Sequence, residues 1–307
     1  MNIDNAQLAA FAMVLREGSF EAAARRLNVT PSAISQRIKQ LEERFGQVLL
    51  LRTAPCQATA AGKTLARFTE QLALLEAEML SDVGAAGVTG SNPLRIPIVV
   101  NADSLDSWFL AVFDVTLKES ISFDIRVEDQ DHSAAMLREG TVMAAVSASP
   151  VSVQGCKVEP LGIMRYLAVA APELAERYFL QGVNSFSLNH APMLTFNRKD
   201  GLQQRFIDLF TADGVQPPIH YIPSAHGFVE VAKRGLGWGM MPEQFVSSAL
   251  GTGELIEIAP GHHLDVPLFW HRWRLNSPAL NALSEAAHVA AAGSLRAVSS
   301  HENRSGP

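Results

Sequence analysis

Apolar positions up to about residue 80 recur every three or four residues, the spacing of one face of an α-helix. The clearest stripe consists of Ile34, Ile38, Leu41 and Phe45. Thr30 is a good N-cap for this helix, Pro31 suits its first position, and Gly46 suits its end. A shorter helical stripe over residues 20–27, with Ser19 as its candidate N-cap, precedes it after a gap of a few residues. The pattern therefore predicts a helix, a short turn and a second helix.

A short strand-like run, QVLLLRT, and the turn APCQAT follow at residues 47–59. They predict a two-stranded hairpin that carries Arg52 beside the helix pair. A helix pair with such a wing is a winged helix-turn-helix, which we assign to residues 1–58. Alone, the polar face of the second helix would more often be an ordinary solvated surface; the wing favours DNA binding.

Residues 59–81 predict one long helix whose apolar positions have the a/d spacing of a coiled coil. These positions are Leu65, Phe68, Leu72, Leu75 and Met79. Such a seam favours dimerisation, and packing against the helix's own domain is the alternative. A dimer would present two recognition helices to half-sites about one DNA turn apart.

Residues 82–93, rich in Gly, Ala, Ser, Asn and Pro, predict a flexible hinge and a domain boundary. Short apolar runs, such as the predicted strand 164–171, then alternate up to residue 295 with helical patterns, such as the predicted helix 104–117. A frayed tail follows at 296–307. Strand–helix alternation predicts an α/β domain with largely parallel strands, sufficient for two small sheets in series. The fold class is therefore an all-α winged domain joined to an α/β domain.

The 307 residues are 48% hydrophobic and 18% charged, with a mean hydropathy of +0.10, which excludes a disordered chain. No apolar run approaches the roughly 18 residues of a membrane span, and the first residues do not resemble a signal peptide. Two cysteines, Cys56 and Cys156, stand in no metal or redox spacing and predict buried thiols. We expect a cytoplasmic protein with no metal and no cofactor.

Charge is uneven, because residues 1–80 carry 9 basic and 8 acidic side chains while residues 81–307 carry 16 and 23. Contact with nucleic acid is therefore expected from the N-terminal part alone. On its second helix, Ser35 and Gln36 suit base edges, whereas Arg37, Lys39 and the wing residue Arg52 suit phosphates. The full predicted DNA-binding set is Thr30, Pro31, Ser32, Ser35, Gln36, Arg37, Lys39 and Arg52.

A family resemblance rests on the run SFEAAARRLNVTPSAISQRIKQLEERFGQVLLLRTAPCQATAAG. With its Ala-Ala pair, the dipeptide Leu41-Glu42 and the closing Ala61-Gly62, it resembles the N-terminal signature of LysR-type transcriptional regulators. Four later segments, VNADSLDSWF, VEDQDHSAAMLREG, GLGWGMMPE and PLFWHRW, resemble the branch of that family that controls lysine and arginine export. The resemblance extends to about residue 295.

The resemblance implies that residues 94–295 form two α/β subdomains, similar to periplasmic binding proteins, with an effector cleft between them. The first would comprise 94–163 and 267–295, and the second 164–266. Ligands of such sheets bind beyond the carboxyl ends of strands. The candidates there are Asn101, Ala102, Asp103 and Ser104 for a carboxylate, Glu128, Asp129 and Asp131 for a cation, and Ser147 and Ser224 with less weight. A solvated acidic loop is the alternative for the second group.

No nucleophile with a matching base appears at a recognisable spacing, so we expect no enzyme. The sequence predicts a regulator that binds operator DNA, lysine or arginine, and a second copy of itself as a dimer or tetramer. RNA polymerase is a further expected partner. The alternatives are a LysR-type regulator of another small-molecule pathway, and a stand-alone solute-binding or enzymatic α/β protein.

Overall fold

The computed structural model describes residues 4–83, 94–116, 121–128, 133–212 and 214–297. Its first range holds α1 (Asn5–Glu17), α2 (Phe20–Arg26), α3 (Pro31–Phe45), β1 (Leu50–Leu51), β2 (Gln57–Ala58) and α4 (Ala60–Asp82). Strands β1 and β2 pair antiparallel, which makes the wing. The predicted winged helix-turn-helix is confirmed.

The ends of α2 and α3 are set by the residues that the sequence indicates. Ser19 Oγ accepts a hydrogen bond from the Ala22 amide at 3.1 Å, and Thr30 Oγ1 accepts one from the Ala33 amide at 3.2 Å. Helix α3 stops at Gly46, whose φ of 65° lies in the left-handed region. Local capping thus fixes the turn between the two helices.

The backbone of the wing is anchored to the Glu42 side chain of α3 and to Gly62 of α4. Glu42 Oε1 accepts hydrogen bonds from the amides of Leu49 at 2.8 Å and Leu50 at 3.3 Å. A Cβ at Gly62 would lie 2.0 Å from the Leu49 carbonyl oxygen, so only glycine lets α4 approach the wing so closely. These contacts give the Glu42 and Gly62 positions of the family signature a physical reason.

The apolar stripe of α4 faces in two directions. Leu65 is 7% exposed in the core of the N-terminal domain, and Leu72 packs against that core. Phe68, Leu75 and Met79 are exposed by 46%, 40% and 54%. Leu65 is therefore unavailable to a partner helix, because its own domain already covers it.

The C-terminal half of α4 docks on the α/β domain of its own chain. Leu74 is buried in the core of that domain. Glu78 Oε1 accepts hydrogen bonds from Ser277 Oγ at 2.6 Å and the Ala279 amide at 3.1 Å. The two domains thus touch through α4, while residues 84–93 of the predicted hinge lie outside the described residues.

The α/β domain contains nine strands and nine helices among the described residues. The strands are β3 (Leu94–Val100), β4 (Ile121–Val127), β5 (Ala144–Ser147), β6 (Cys156–Ala170), β7 (Met193–Thr195), β8 (Ile219–Tyr221), β9 (Gly239–Pro242), β10 (Ile256–Glu257) and β11 (His263–Trp273). The helices are α5 (Ala102–Leu105), α6 (Leu110–Thr116), α7 (Ser133–Glu139), α8 (Pro172–Tyr178), α9 (Ser185–His190), α10 (Leu202–Ile207), α11 (Ala225–Lys233), α12 (Glu243–Thr252) and α13 (Pro278–Ala292).

The strands form one seven-stranded sheet and one two-stranded sheet. The large sheet runs β10-β6-β11-β5-β3-β4, with β9 also paired to β6, and the small sheet pairs β7 with β8. Pairs β3–β4, β3–β5 and β7–β8 are parallel, but every pair involving β6 or β11 is antiparallel. The expectation of largely parallel strands was therefore wrong, and the second of the two sheets has only two strands.

The long strands β6 and β11 explain that error. The sequence indicated only the second half of β6, because Pro160 and Gly162 interrupt the strand pattern before it. The register between the two strands shifts at Leu268 and Phe269, opposite these same residues. A strand with such an irregularity reads from sequence as a shorter strand and a loop.

Two smaller expectations also change. The single helix expected over 104–117 is two short helices, α5 and α6. Arg296, the first residue of the predicted frayed tail, is held by backbone hydrogen bonds to Ile163 and by the carboxylate of Glu243, whereas residues 298–307 lie outside the described residues. Among the helices that the structure describes, none is both long and apolar enough to cross a membrane.

Candidate functional site

The first candidate site is the polar face of α3. Ser32, Gln36 and Lys39 are exposed, and Ser35 and Arg37 are half-buried. On the opposite face, Ile34, Ile38 and Leu41 are fully buried in the N-terminal core. Short hydroxyl and amide side chains on the second helix of a helix-turn-helix are suited to contact base edges in a major groove.

The charged residue Lys39 on this face makes a loose ion pair within α3. Lys39 Nζ lies 3.7 Å from Glu43 Oε1, and both side chains are largely exposed. Such a surface pair contributes little, so Lys39 can exchange it for a phosphate. Thr30 and Pro31, both exposed, place the first turn of α3 at the same surface.

The wing adds a positioned guanidinium. Arg52 is exposed, and its Cζ lies 5.1 Å from the centre of the Phe20 ring at the start of α2. This cation–π contact holds the wing beside the helix pair. Arg25 and Arg26, exposed in the last turn of α2, carry two further positive charges that the sequence reasoning missed.

The second candidate site is a cleft in the α/β domain. One wall follows the carboxyl ends of β3 and β4; the other comprises the loop after β7 and parts of α10, α11, β9 and α12. The cleft encloses about 730 Å³, open mouth included. Its lining residues are Asn101, Ala102, Asp103, Val127, Glu128, Phe196, Asn197, Asp200, Leu202, Ala225, Phe228, Val229, Met240, Met241, Pro242 and Phe245.

Four of the predicted effector residues line this cleft, namely Asn101, Ala102, Asp103 and Glu128. Among the described residues, three others do not. Ser104 is a fully buried residue of the short helix α5, Ser147 is buried in β5, and exposed Ser224 caps α11. Asp129 and Asp131 lie outside the described residues.

The charge of the cleft is negative. Asp103, Glu128 and Asp200 contribute carboxylates, and no Lys, Arg or His stands among the described residues that line it. Asp103 Oδ2 accepts a hydrogen bond from the Tyr166 hydroxyl at 2.8 Å. Asn101 is 3% exposed, and its Oδ1 has no hydrogen-bond partner in the described part of the chain. A buried acceptor of this kind is suited to a donor from a ligand.

The far wall of the cleft was missed from the sequence. Phe196, Asn197 and Asp200 follow β7, so the rule that ligands meet the carboxyl ends of strands would have found them. Asp200 shapes this loop, because its carboxylate accepts hydrogen bonds from the amides of Phe196 at 2.9 Å and Leu202 at 3.1 Å. Phe228 on α11 contributes an apolar surface that no motif marks.

Groups with clearly shifted pKa values lie away from this cleft. Cys156 is buried, as the sequence predicts, and this burial raises the pKa of its thiol to about 11. Cys56 in the wing is only half-buried. Burial lowers the pKa of the His271 imidazole, although its Nε2 donates to the Ser149 carbonyl oxygen at 2.8 Å. The described residues contain no cluster of metal-ligating side chains.

Two family models match the chain. Residues 6–63 match the lysR family of bacterial regulatory helix-turn-helix proteins, and residues 117–291 match the LysR substrate binding domain. The chain is 46% identical over 294 residues to the HTH-type transcriptional regulator LysG of Mycobacterium tuberculosis, covering 96% of this chain and 95% of that protein. It is 41% identical over 279 residues to the HTH-type transcriptional regulator ArgP of Pseudomonas fluorescens, covering 91% and 93%.

Two solved structures share the whole architecture. The crystal structure of ArgP from Mycobacterium tuberculosis superposes with a TM-score of 0.84 at 45% identity, covering 97% of this chain and all of that one. Full-length LysG from Corynebacterium glutamicum with bound effector Arg superposes with a TM-score of 0.77 at 37% identity, covering 96% of this chain and all of that one.

Proposed function

The chain belongs to the LysR family of bacterial helix-turn-helix transcriptional regulators, and on that premise we propose that its effector is a basic amino acid, lysine or arginine. Proteins of this family regulate transcription by binding DNA and are not enzymes. The proposal for the effector rests on one observation, the acidic and partly apolar lining of the cleft.

Lysine and arginine combine a methylene chain with a cation at its end. The cleft offers apolar side chains, among them Phe228, Met240 and Phe245. It also offers the carboxylates of Asp103, Glu128 and Asp200, of which Glu128 pairs with Lys199. An anionic effector would meet the like charges of Asp103 and Asp200, which line this cleft. The structure of LysG from Corynebacterium glutamicum, which holds the effector Arg, supports the same chemistry.

The geometry suggests an orientation for the ligand. The buried Oδ1 of Asn101 and the carboxylate of Asp103 suit the α-ammonium group, because both are hydrogen-bond acceptors on the wall that follows β3. The side-chain amides of Asn101 and Asn197 are available as donors for the α-carboxylate. Glu128, whose side chain is 34% exposed, stands at the mouth and suits the cation at the end of the ligand side chain.

The DNA contacts follow from the exposed face of α3. In this proposal Ser35 and Gln36 read base edges, while Arg37, Lys39 and the wing residue Arg52 bind phosphates. The first turn of α3, formed by Thr30, Pro31 and Ser32, adds a phosphate contact through backbone amides at a helix start.

Dimerisation is assigned to the exposed part of α4. Phe68, Leu75 and Met79, with half-buried Leu72, form a continuous stripe along one side of the helix. A second copy of the chain would cover it and bring two recognition helices onto one operator. Light scattering of the parent protein distinguishes a dimer from a tetramer made of two such dimers.

Other elements of the proposal rest on the relatives. The regulated gene is proposed to be an amino-acid exporter, since the relative from Corynebacterium glutamicum, 40% identical, is named a lysine export transcriptional regulatory protein. Residues 1–58, 59–81 and 94–295 are proposed as the DNA-binding, dimerisation and effector units. The cytoplasm is the proposed location.

The test is gel-shift binding to DNA from upstream of the chain's own gene and of neighbouring exporter genes. We expect specific binding whose affinity or footprint changes with lysine or arginine and does not change with glutamate or leucine. Binding that responds to another metabolite would show a LysR-type regulator of a different pathway. Weak, purely salt-sensitive binding to all DNA would contradict the operator-binding function.

A further inference from the structure

An ion pair crosses the mouth of the effector cleft. Lys199 Nζ donates to Glu128 Oε1 at 2.9 Å. Glu128 follows β4 on one wall, and Lys199 belongs to the loop after β7 on the other wall. The protein's own lysine ammonium thus contacts one of the carboxylates that line the cleft.

The loop holds Lys199 at this place through its backbone. The Lys199 amide donates to Asn197 Oδ1 at 2.7 Å. Asp200, the next residue, is tied to the Phe196 and Leu202 amides. The backbone of the loop is therefore anchored, while the Lys199 side chain reaches Glu128 through its flexible methylene stem.

The contact is of a kind that a ligand can replace. The Lys199 side chain is 50% exposed and that of Glu128 is 34% exposed. An exposed ion pair of this kind contributes little net free energy. A ligand whose other groups are held inside the cleft delivers its cation to Glu128 at a high effective concentration.

We propose that Lys199 is an intramolecular competitor of the effector, occupying at Glu128 the subsite that takes the cation of the effector side chain. This inference rests on the proposed function. A lysine or arginine effector displaces Lys199 and pairs with Glu128 itself. A ligand with an uncharged side chain of the same length cannot do so, and the cross-cleft pair then stays in place. Lys199 is thereby a residue that sets both the affinity and the charge preference of the site.

The proposal predicts a gain of affinity when the competitor is removed. Lys199→Met keeps the apolar stem and removes the ammonium, so lysine and arginine should bind about two- to five-fold tighter, the range expected for an exposed ion pair. Norleucine, which has the lysine chain without its terminal ammonium, should bind the parent and Lys199→Met equally. In a Glu128→Gln background, Lys199→Met should bring no gain for any of the three ligands.

The measurement is calorimetric titration of the full-length protein in low salt. Lys157→Met is the matched control, because Lys157 Nζ pairs with Glu159 Oε1 at 2.8 Å, is also 50% exposed, and lies outside the cleft. It should leave all three affinities unchanged.

Each contrary outcome has its own meaning. Tenfold weaker binding to Lys199→Met would show that Lys199 itself holds the effector, and unchanged binding would show that it plays no part; both overturn the proposal. If the parent binds neither lysine nor arginine, the proposed function fails, and this inference fails with it.

Discussion

Asn101 offers the sharpest test of whether the cleft is built for a polar ligand. Its Oδ1 is buried without a hydrogen-bond partner in the described structure, and its side chain makes no capping bond to α5. An unsatisfied buried acceptor costs about 1 to 3 kcal/mol, and a ligand ammonium that donates to it removes this cost. Asn101→Leu has a similar volume and no polar atom. We expect the effector-free variant to be as stable as the parent or more stable, and to bind lysine about 5- to 150-fold more weakly.

Two measurements on the same preparation test this prediction. Urea unfolding gives the stability of the effector-free protein, and calorimetry gives the affinity for lysine. Gln203→Leu is the control, because both polar atoms of the Gln203 side chain are buried without partners in the described structure, yet Gln203 does not line the cleft. It should resemble Asn101→Leu in stability and the parent in affinity. Lysine binding to Asn101→Leu at the parent's affinity would refute the reasoning.

Three further predictions concern DNA, assembly and pH. Gln36→Ala should lower the preference for operator over random DNA by about 1 to 3 kcal/mol per lost base contact, whereas Lys39→Ala should lower the affinity for both DNAs equally. Fluorescence anisotropy on the two DNAs measures these affinities, and the same pattern of losses in both variants would contradict the assignment. Phe68→Glu combined with Leu75→Glu would place charges in the proposed helix–helix interface, so light scattering should show monomers while the effector affinity stays unchanged. A native oligomer would show that the stripe is not the interface. Burial lowers the pKa of His271 in the folded protein, whereas a histidine of the unfolded chain is protonated near pH 6.5. The free energy of unfolding should therefore fall as the pH drops below about 6.5, and it should fall less in His271→Gln. Urea unfolding at several pH values measures this, and the same pH dependence in both proteins would contradict it.

The N-terminal domain was predictable because its signals are local. Ser19, Thr30 and Gly46 act on helix ends within three or four residues of themselves, and the structure places all three as expected. The same holds for Asn101 and Glu128, which the sequence indicates through the ends of the strands that precede them. Capping and strand ends need no knowledge of distant partners.

What the sequence did not reveal depends on distant contacts. The spacing of Leu65 shows that its face of α4 is covered, but not that the covering core belongs to its own domain. The pairing of β6 with β11 joins residues about a hundred positions apart, and the irregularity at Gly162 hides half of β6. Glu128 follows a strand of the large sheet and Lys199 a strand of the small sheet, and only the tertiary fold brings them to one cleft.

The central claim is that the cleft recognises a basic amino acid, and thermal unfolding of the full-length protein in the presence of each of the twenty amino acids tests it most directly. A ligand at about 100 times its Kd stabilises the folded state by about 2.7 kcal/mol, which is readily detected as a rise in Tm. We predict that lysine and arginine raise the Tm most, that methionine raises it less, and that glutamate leaves it unchanged. A larger rise with an acidic or uncharged amino acid than with either basic one would contradict the account.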